Sequence, residues 1–185
     1  MNKYMRALVV IPTGMAKMGL LKLGRGKSFS GPALCQLSPF SEISFDRGGE
    51  LRIGSGFKMR DGAKLRVRKG AKCQLGRNVS MNASNVITCR ERITLGDDVT
   101  LSPNVQIYDH DHDFACEGGI AAGKYLTDSV EIGSNVWIGA NCVILRGSKI
   151  GDNCVIGANT VVRGEIPANS VVYQQRENII KIREI

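Results

Sequence analysis

Two histidines occur in the whole chain, and they stand two residues apart: His110 and His112, inside the run Asp109-His110-Asp111-His112-Asp113. Imidazole is the side chain whose ordinary pKa lets it take and return a proton near neutral pH. In an extended segment, alternate side chains share a side. Both rings would then face one way, and Asp109, Asp111 and Asp113 the other. A carboxylate beside an imidazole fixes its tautomer, so Asp109 or Asp111 could orient whichever histidine acts as a base. A metal site is a poorer reading. The six cysteines (35, 73, 89, 116, 142, 154) show no zinc spacing, and two adjacent histidines supply too few ligands.

What positions this pair is a rhythm. From Val130 to Ile166, aliphatic residues fall at Ile132, Ile138, Ile144, Ile150, Ile156 and Val162, one every six positions. Four places after each lies a small or medium residue: Val136, Cys142, Ser148, Cys154, Thr160, Ile166. Six matches neither a helix nor a hairpin, but it fits a parallel β-helix in which each unit gives one strand and one turn. The recurrent aliphatic residue would stack on its own kind inside a prism. Gly and Asn would mark the turns, where φ can be positive. The fold class expected is therefore all-β, a parallel β-helix.

The rhythm first becomes clear at Ile53 and runs through Leu65, Leu75, Ile87, Leu95 and Ile107, with small slips that read as bulges at corners. It stops at Ile107 and resumes at Ile132. The stretch between, a loop over 108–129, should leave the prism, and long loops on rigid scaffolds often carry function. The chain divides into an N-terminal cap and lead-in (1–50), the β-helix (51–173) and a C-terminal cap (174–185). In the last of these, Ile179, Ile180, Ile182 and Ile185 would form a strand or short helix sealing the final coil.

Charge is concentrated at the start. Lys3, Arg6, Lys17, Lys22, Arg25 and Lys27 precede the first acid, Glu42, in a chain of net charge +8. They alternate with aliphatic residues, and Pro12-Thr13-Gly14 should break any helix there. A basic, apolar segment over 1–27 serves either as a cap on the first coil or as a peripheral contact with an anionic membrane. No run long enough to predict a transmembrane helix stands out. Nucleic acid is not an expected partner, since no aromatic-basic motif accompanies the charge. Reduced inward-facing cysteines point to the cytoplasm.

The repeat, with NVWIGAN and VIGANTVV, resembles the hexapeptide-repeat acyltransferases, whose coils wind left-handed. Its YDHDHDF opening is most similar to the surface-polysaccharide O-acetyltransferases. The resemblance implies acetyl-CoA as donor, no required metal, and a homotrimer with the donor between neighbouring coils. Aligned without a gap, LSPNVQIYDHDH sets His112 in the place of the catalytic histidine, with His110 as second choice. Asn82 falls where the family has an acceptor-contacting asparagine, and Asp109 and Asp111 are further acceptor-side candidates. Trp137, Gly139, Ala140 and Ala158 match the donor groove, and Arg163, Lys181 and Arg183 could meet the anionic end of coenzyme A. A backbone N–H of Gly139 or Ala140 would stabilise the oxyanion. The chain departs from the family pattern at Arg163-Gly164 and at YQQREN.

The activity implied is transfer of acetyl to a sugar hydroxyl of capsule, exopolysaccharide or lipopolysaccharide. The acceptor would be a carbohydrate, lipid-linked in many relatives, which would place the enzyme on the inner face of the cytoplasmic membrane. A sugar N-acetyltransferase would use the same base. A β-helix carbonic anhydrase needs three histidines, and a non-catalytic solenoid scaffold would bind no acetyl-CoA.

Overall fold

A computed structural model describes residues 3–175, 177 and 179–181, with side chains from residue 7 onward. Short parallel strands stack into three sheets, two of seven strands and one of six, and the chain visits them in strict rotation. The first face begins with Phe29–Ser30, the second with Gln36–Leu37 and the third with Glu42–Phe45. Each coil lies on the one before, as a parallel β-helix requires.

The inward columns are those the rhythm predicts. On the second face Leu37 pairs with Met59, then Met81, Leu101, Ile138, Ile156 and Val172. On the third, Leu65, Ile87, Ile107, Ile144 and Val162 are in register. All but Val172 are buried. No coil can bury this column alone, so stability is shared between neighbours.

The coils start earlier than the phased reading from Ile53: Phe29 already pairs with Leu51. The slips have a cause other than bulges. Early coils carry four-residue strands on the first and third faces, such as Glu50–Ile53 and Lys64–Val67, while later ones shrink to two, such as Lys149–Ile150 and Val161–Val162. The turn residues also divide differently from the expectation. Asn135, Asn141, Asn153, Asn159 and Asn169 hold positive φ, and the side chains of Asn135, Asn153 and Asn169 bond in series up one edge. Gly147 and Gly164 also hold positive φ, whereas Gly133, Gly139, Gly151 and Gly157 serve closeness instead: a Cβ on Gly139 would lie 2.6 Å from the backbone N of Ala158.

The N-terminal segment is one helix, α1 (Lys3–Arg25), continuous through Pro12. Proline removes one N–H, and nearby the Thr13 hydroxyl donates to the Val9 carbonyl at 2.8 Å. Gly14 does not break the helix because it is a contact point: a Cβ there would lie 2.4 Å from the Cys35 carbonyl oxygen. Val10 and Met18 are buried on either side of it. Lys17 Nζ donates to the carbonyls of Ser38, Pro39 and Ser41 at 3.0, 3.2 and 2.5 Å, and burial lowers its pKa. At the other end, no strand or helix follows Val172 among the described residues, and Ile179 and Ile180 are exposed. The expected strand or helix is not formed there; Ile182 and Ile185 lie outside the described residues.

Candidate active site

The chain leaves the prism at the edge between the third and first faces, just after the strand Gln106–Tyr108. Tyr108 is in register with Thr88, so Asp109 follows alongside Cys89. There its carboxylate is fully buried. It accepts backbone N–H groups of the turn in the coil before: Arg90 reaches both oxygens at 2.9 Å and Glu91 one at 2.8 Å. His110 Nδ1 lies 3.1 Å from Oδ1. Burial on its own would raise this carboxyl pKa. Hydrogen bonds from His110 and from the two N–H groups outweigh it, and the pKa falls below the ordinary value. An ionised carboxylate only accepts, so the proton between the two groups resides on Nδ1.

The loop that follows is a built element. His110–His112 pairs antiparallel with Tyr125–Thr127, His110 opposite Thr127 and His112 opposite Tyr125. Both imidazoles turn to one ring, as alternation requires: Tyr125 lies 5.4 Å from His110, edge-on, and 4.7 Å from His112 at a 41° tilt. Tyr108 closes the other side of His110, edge-on at 5.8 Å. The Arg90 guanidinium sits 3.4 Å from the Tyr125 centroid. Asp128 N–H donates to the Asp109 carbonyl, tying the returning strand to the departing one.

This arrangement divides the histidines. His110 is wedged between two tyrosines with its side chain 12% exposed, whereas His112 is exposed at the strand end. Of the two carboxylates offered as orienting partners, neither is hydrogen-bonded to His112. Asp109 serves His110, and Asp111 accepts from Arg146 Nε at 2.5 Å. Buried as it is, Asp109 has no surface to offer an acceptor. Tyr125 and Arg90 escaped the sequence reading because the antiparallel pairing that gathers them leaves no periodic trace.

The remaining candidates lie elsewhere on the prism. Asn82, Ala140 and Ala158 occupy the edge between the second and third faces, each following a second-face strand. Asn82 is exposed, and its Oδ1 accepts the Ala83 N–H at 2.9 Å. Trp137 is half exposed on the second face, its Nε1 donating to Ser102 Oγ at 2.9 Å. It lines an open groove of about 390 Å³ with Thr100, Asn135, Asn153 and Val155. A larger groove, about 660 Å³, runs along the first face past Arg92, Glu131, Lys149 and Glu165, and none of the candidates lines it.

Gly139 cannot supply an oxyanion donor, because its N–H already donates to the Ile156 carbonyl at 2.7 Å. Ala140 remains for that role. Arg163 is exposed at the histidine edge, Lys181 is exposed in the tail, and Arg183 lies outside the described residues. Cys142 and Cys154 are buried and free, as inward slots should be.

Residues 129–164 match the family described as bacterial transferase hexapeptide (six repeats). The chain carries the hexapeptide-transferase repeat. It winds as a left-handed parallel β-helix, and the match falls on the stretch where the six-residue rhythm is unbroken.

Among curated proteins, it is 35% identical over 112 residues to an Escherichia coli protein named for lipopolysaccharide biosynthesis O-acetyl transfer, WbbJ, covering 56% of this chain and 57% of that one. It is 38% identical over 97 residues to the galactoside O-acetyltransferase of the same organism, covering 52% and 47%. The chain thus spans about half the length of these relatives. In fold it is similar to the Bacillus cereus N-acyltransferase AntD, solved with dTDP and coenzyme A. That match has a TM-score of 0.70 and 20% identity, covering 90% of this chain and 88% of the other.

Proposed function

We propose that this protein is an acetyl-CoA-dependent O-acetyltransferase acting on a sugar hydroxyl during surface-polysaccharide assembly, at the cytoplasmic side of the membrane. The observation that carries the reading is the division of candidate residues between two edges of one prism. His112 stands at the edge between the third and first faces, while Asn82, Ala140 and Ala158 stand at the edge between the second and third. A single rigid prism cannot bring the two together. Cyclic packing of three copies would set one edge beside the other and complete a site at each junction, so a homotrimer is part of the proposal. The curated relatives named for O-acetyl transfer to lipopolysaccharide and to galactosides support the acceptor class.

In the mechanism, His112 is the general base. It is the exposed imidazole, and its ring rests on Tyr125. It takes the proton from the acceptor hydroxyl as that oxygen attacks the thioester carbonyl. The Ala140 N–H then faces the developing oxyanion. Collapse of the tetrahedral species expels the coenzyme A thiolate, which recovers the proton from the imidazolium. Asn82 would hold the acceptor and Trp137 would flank the donor, with Arg163 and Lys181 as cations for its phosphates. His110, pinned by Asp109 and filling the space between Tyr108 and Tyr125, is a positioning residue.

The test is release of free thiol from acetyl-CoA across a panel of mono- and oligosaccharides, with His112→Ala alongside. Acceptor-dependent release that is lost in the variant is the expected result. Turnover unchanged in His112→Ala overturns the assignment of the base, and no acetyl-CoA binding at all overturns the enzyme reading in favour of a scaffold.

A further inference from the structure

Helix α1 is apolar on the wrong side as well as the right one. Val10, Gly14 and Met18, four residues apart, form the stripe buried on the first coil, with Leu21 packed beside them. An ordinary surface helix would turn charge outward from such a stripe. Here the outward positions are Leu8, Val9, Met15, Leu20 and Leu23, with Leu20 70% and Leu23 87% exposed. Ala16 and Gly19 between them are exposed too and add no charge.

The helix's described charges do not interrupt this face. Lys17 is spent on the carbonyls of Ser38, Pro39 and Ser41. Arg25 lies over the Phe45 ring, 5.3 Å from its centroid. Lys22 and Lys27 are exposed at the C-terminal end, and no acid occurs before Glu42.

We propose that this face docks on the surface of an anionic lipid bilayer, with α1 lying in the interfacial plane between the solenoid and the membrane. An unbroken aliphatic face suits the acyl boundary, and a segment whose only charges are cations suits anionic headgroups. The length and mean hydropathy of Ala7–Ser28 would also suffice for a span. Spanning would strip Val10 and Met18 from the coil and release Lys17 from three carbonyls, so the docked helix lies flat. The inference stands apart from the acetyl-transfer reading, because it uses no residue of the candidate active site.

The experiment is co-sedimentation of the full chain with phosphatidylcholine vesicles, with and without phosphatidylglycerol. The wild type should pellet with the anionic vesicles and release under alkaline carbonate. Leu20→Ser and Leu23→Ser should each weaken partitioning about tenfold without changing thermal stability, since both side chains already face outward. Lys22→Glu with Lys27→Glu should abolish the preference for anionic lipid. Equal pelleting of wild type and leucine variants overturns the proposal. Retention after carbonate replaces it with a spanning helix. A concentration-dependent assembly that needs Leu20 and Leu23 but binds no vesicle replaces it with a second copy of this chain. Turnover of a soluble sugar by the same preparations reports on the active site independently.

Discussion

Asp109 and His110 are adjacent in sequence yet serve opposite sides of the wall: the carboxylate is buried against the coil before, and the imidazole stands outside it with Nδ1 3.1 Å from Oδ1. The prism thereby uses a buried charge to anchor the point where its chain departs. Because the folded pKa of Asp109 is depressed, its contribution to stability is complete above the unfolded value, near ~3.9. It is lost as pH falls through that value toward the folded one. Denaturant unfolding followed from neutral to acid pH should show this loss in the wild type. Asp109→Asn should remove about 1–3 kcal/mol at neutral pH, since an amide cannot accept all three N–H groups, and should flatten the acid limb. An unaltered acid limb in the variant would assign the loss to other carboxylates.

The two histidines should separate kinetically. His112→Ala should lower kcat by about 10²–10⁴, the usual worth of a general base, and remove the acidic limb of the pH–rate profile. His110→Ala should leave that limb in place while lowering activity less and loosening the strand His110–His112. His110→Gln, which can still donate to Asp109, should recover most of that loss. If His110→Ala abolishes the limb and His112→Ala keeps it, the base is His110.

The prism was legible in the sequence because its inner column repeats every six residues over many coils, and one missed residue does not hide it. Its earliest coils were not, since Phe29, Leu51 and Cys73 follow longer strands and a step of 22 residues. That both histidines sit where the chain leaves the prism was readable from residue type and the break in the rhythm. The partners were not: what faces His110 is fixed by an antiparallel pairing to Tyr125 and by N–H groups of a turn near Arg90, neither of which leaves a pattern. Gly139 carries two readings. Its smallness reads as room for a donor, while the coil stack already demands it.

That reading of Gly139 can be tested against the donor-groove reading. Gly139→Ala puts a methyl 2.6 Å from the Ala158 backbone N and 2.8 Å from the Ile156 carbonyl oxygen. The clash is with backbone, so relief requires the coils to part, at about 1–3 kcal/mol. Thermal unfolding should drop accordingly. Trp137→Ala, at a half-exposed site, should leave stability nearly unchanged and weaken acetyl-CoA binding measured by calorimetry. The reverse pattern would move the donor away from Trp137.

Lys17 decides whether α1 is part of the fold or an appendage. Its ammonium gathers the carbonyls of Ser38, Pro39 and Ser41 at the rim of the first coil, where burial already lowers its pKa. Lys17→Met keeps the aliphatic stem against the coil but leaves the carbonyls to solvent, and net hydrogen bonds to a charged donor are worth about 1.5–3 kcal/mol. The rest of the solenoid does not depend on that contact, because its coils stack through their own columns. Limited proteolysis of Lys17→Met should therefore cut within α1 first and leave a folded core beginning near Phe29. Loss of the whole solenoid at the same protease dose would make the helix an integral end of the stack, without which the first coil does not hold.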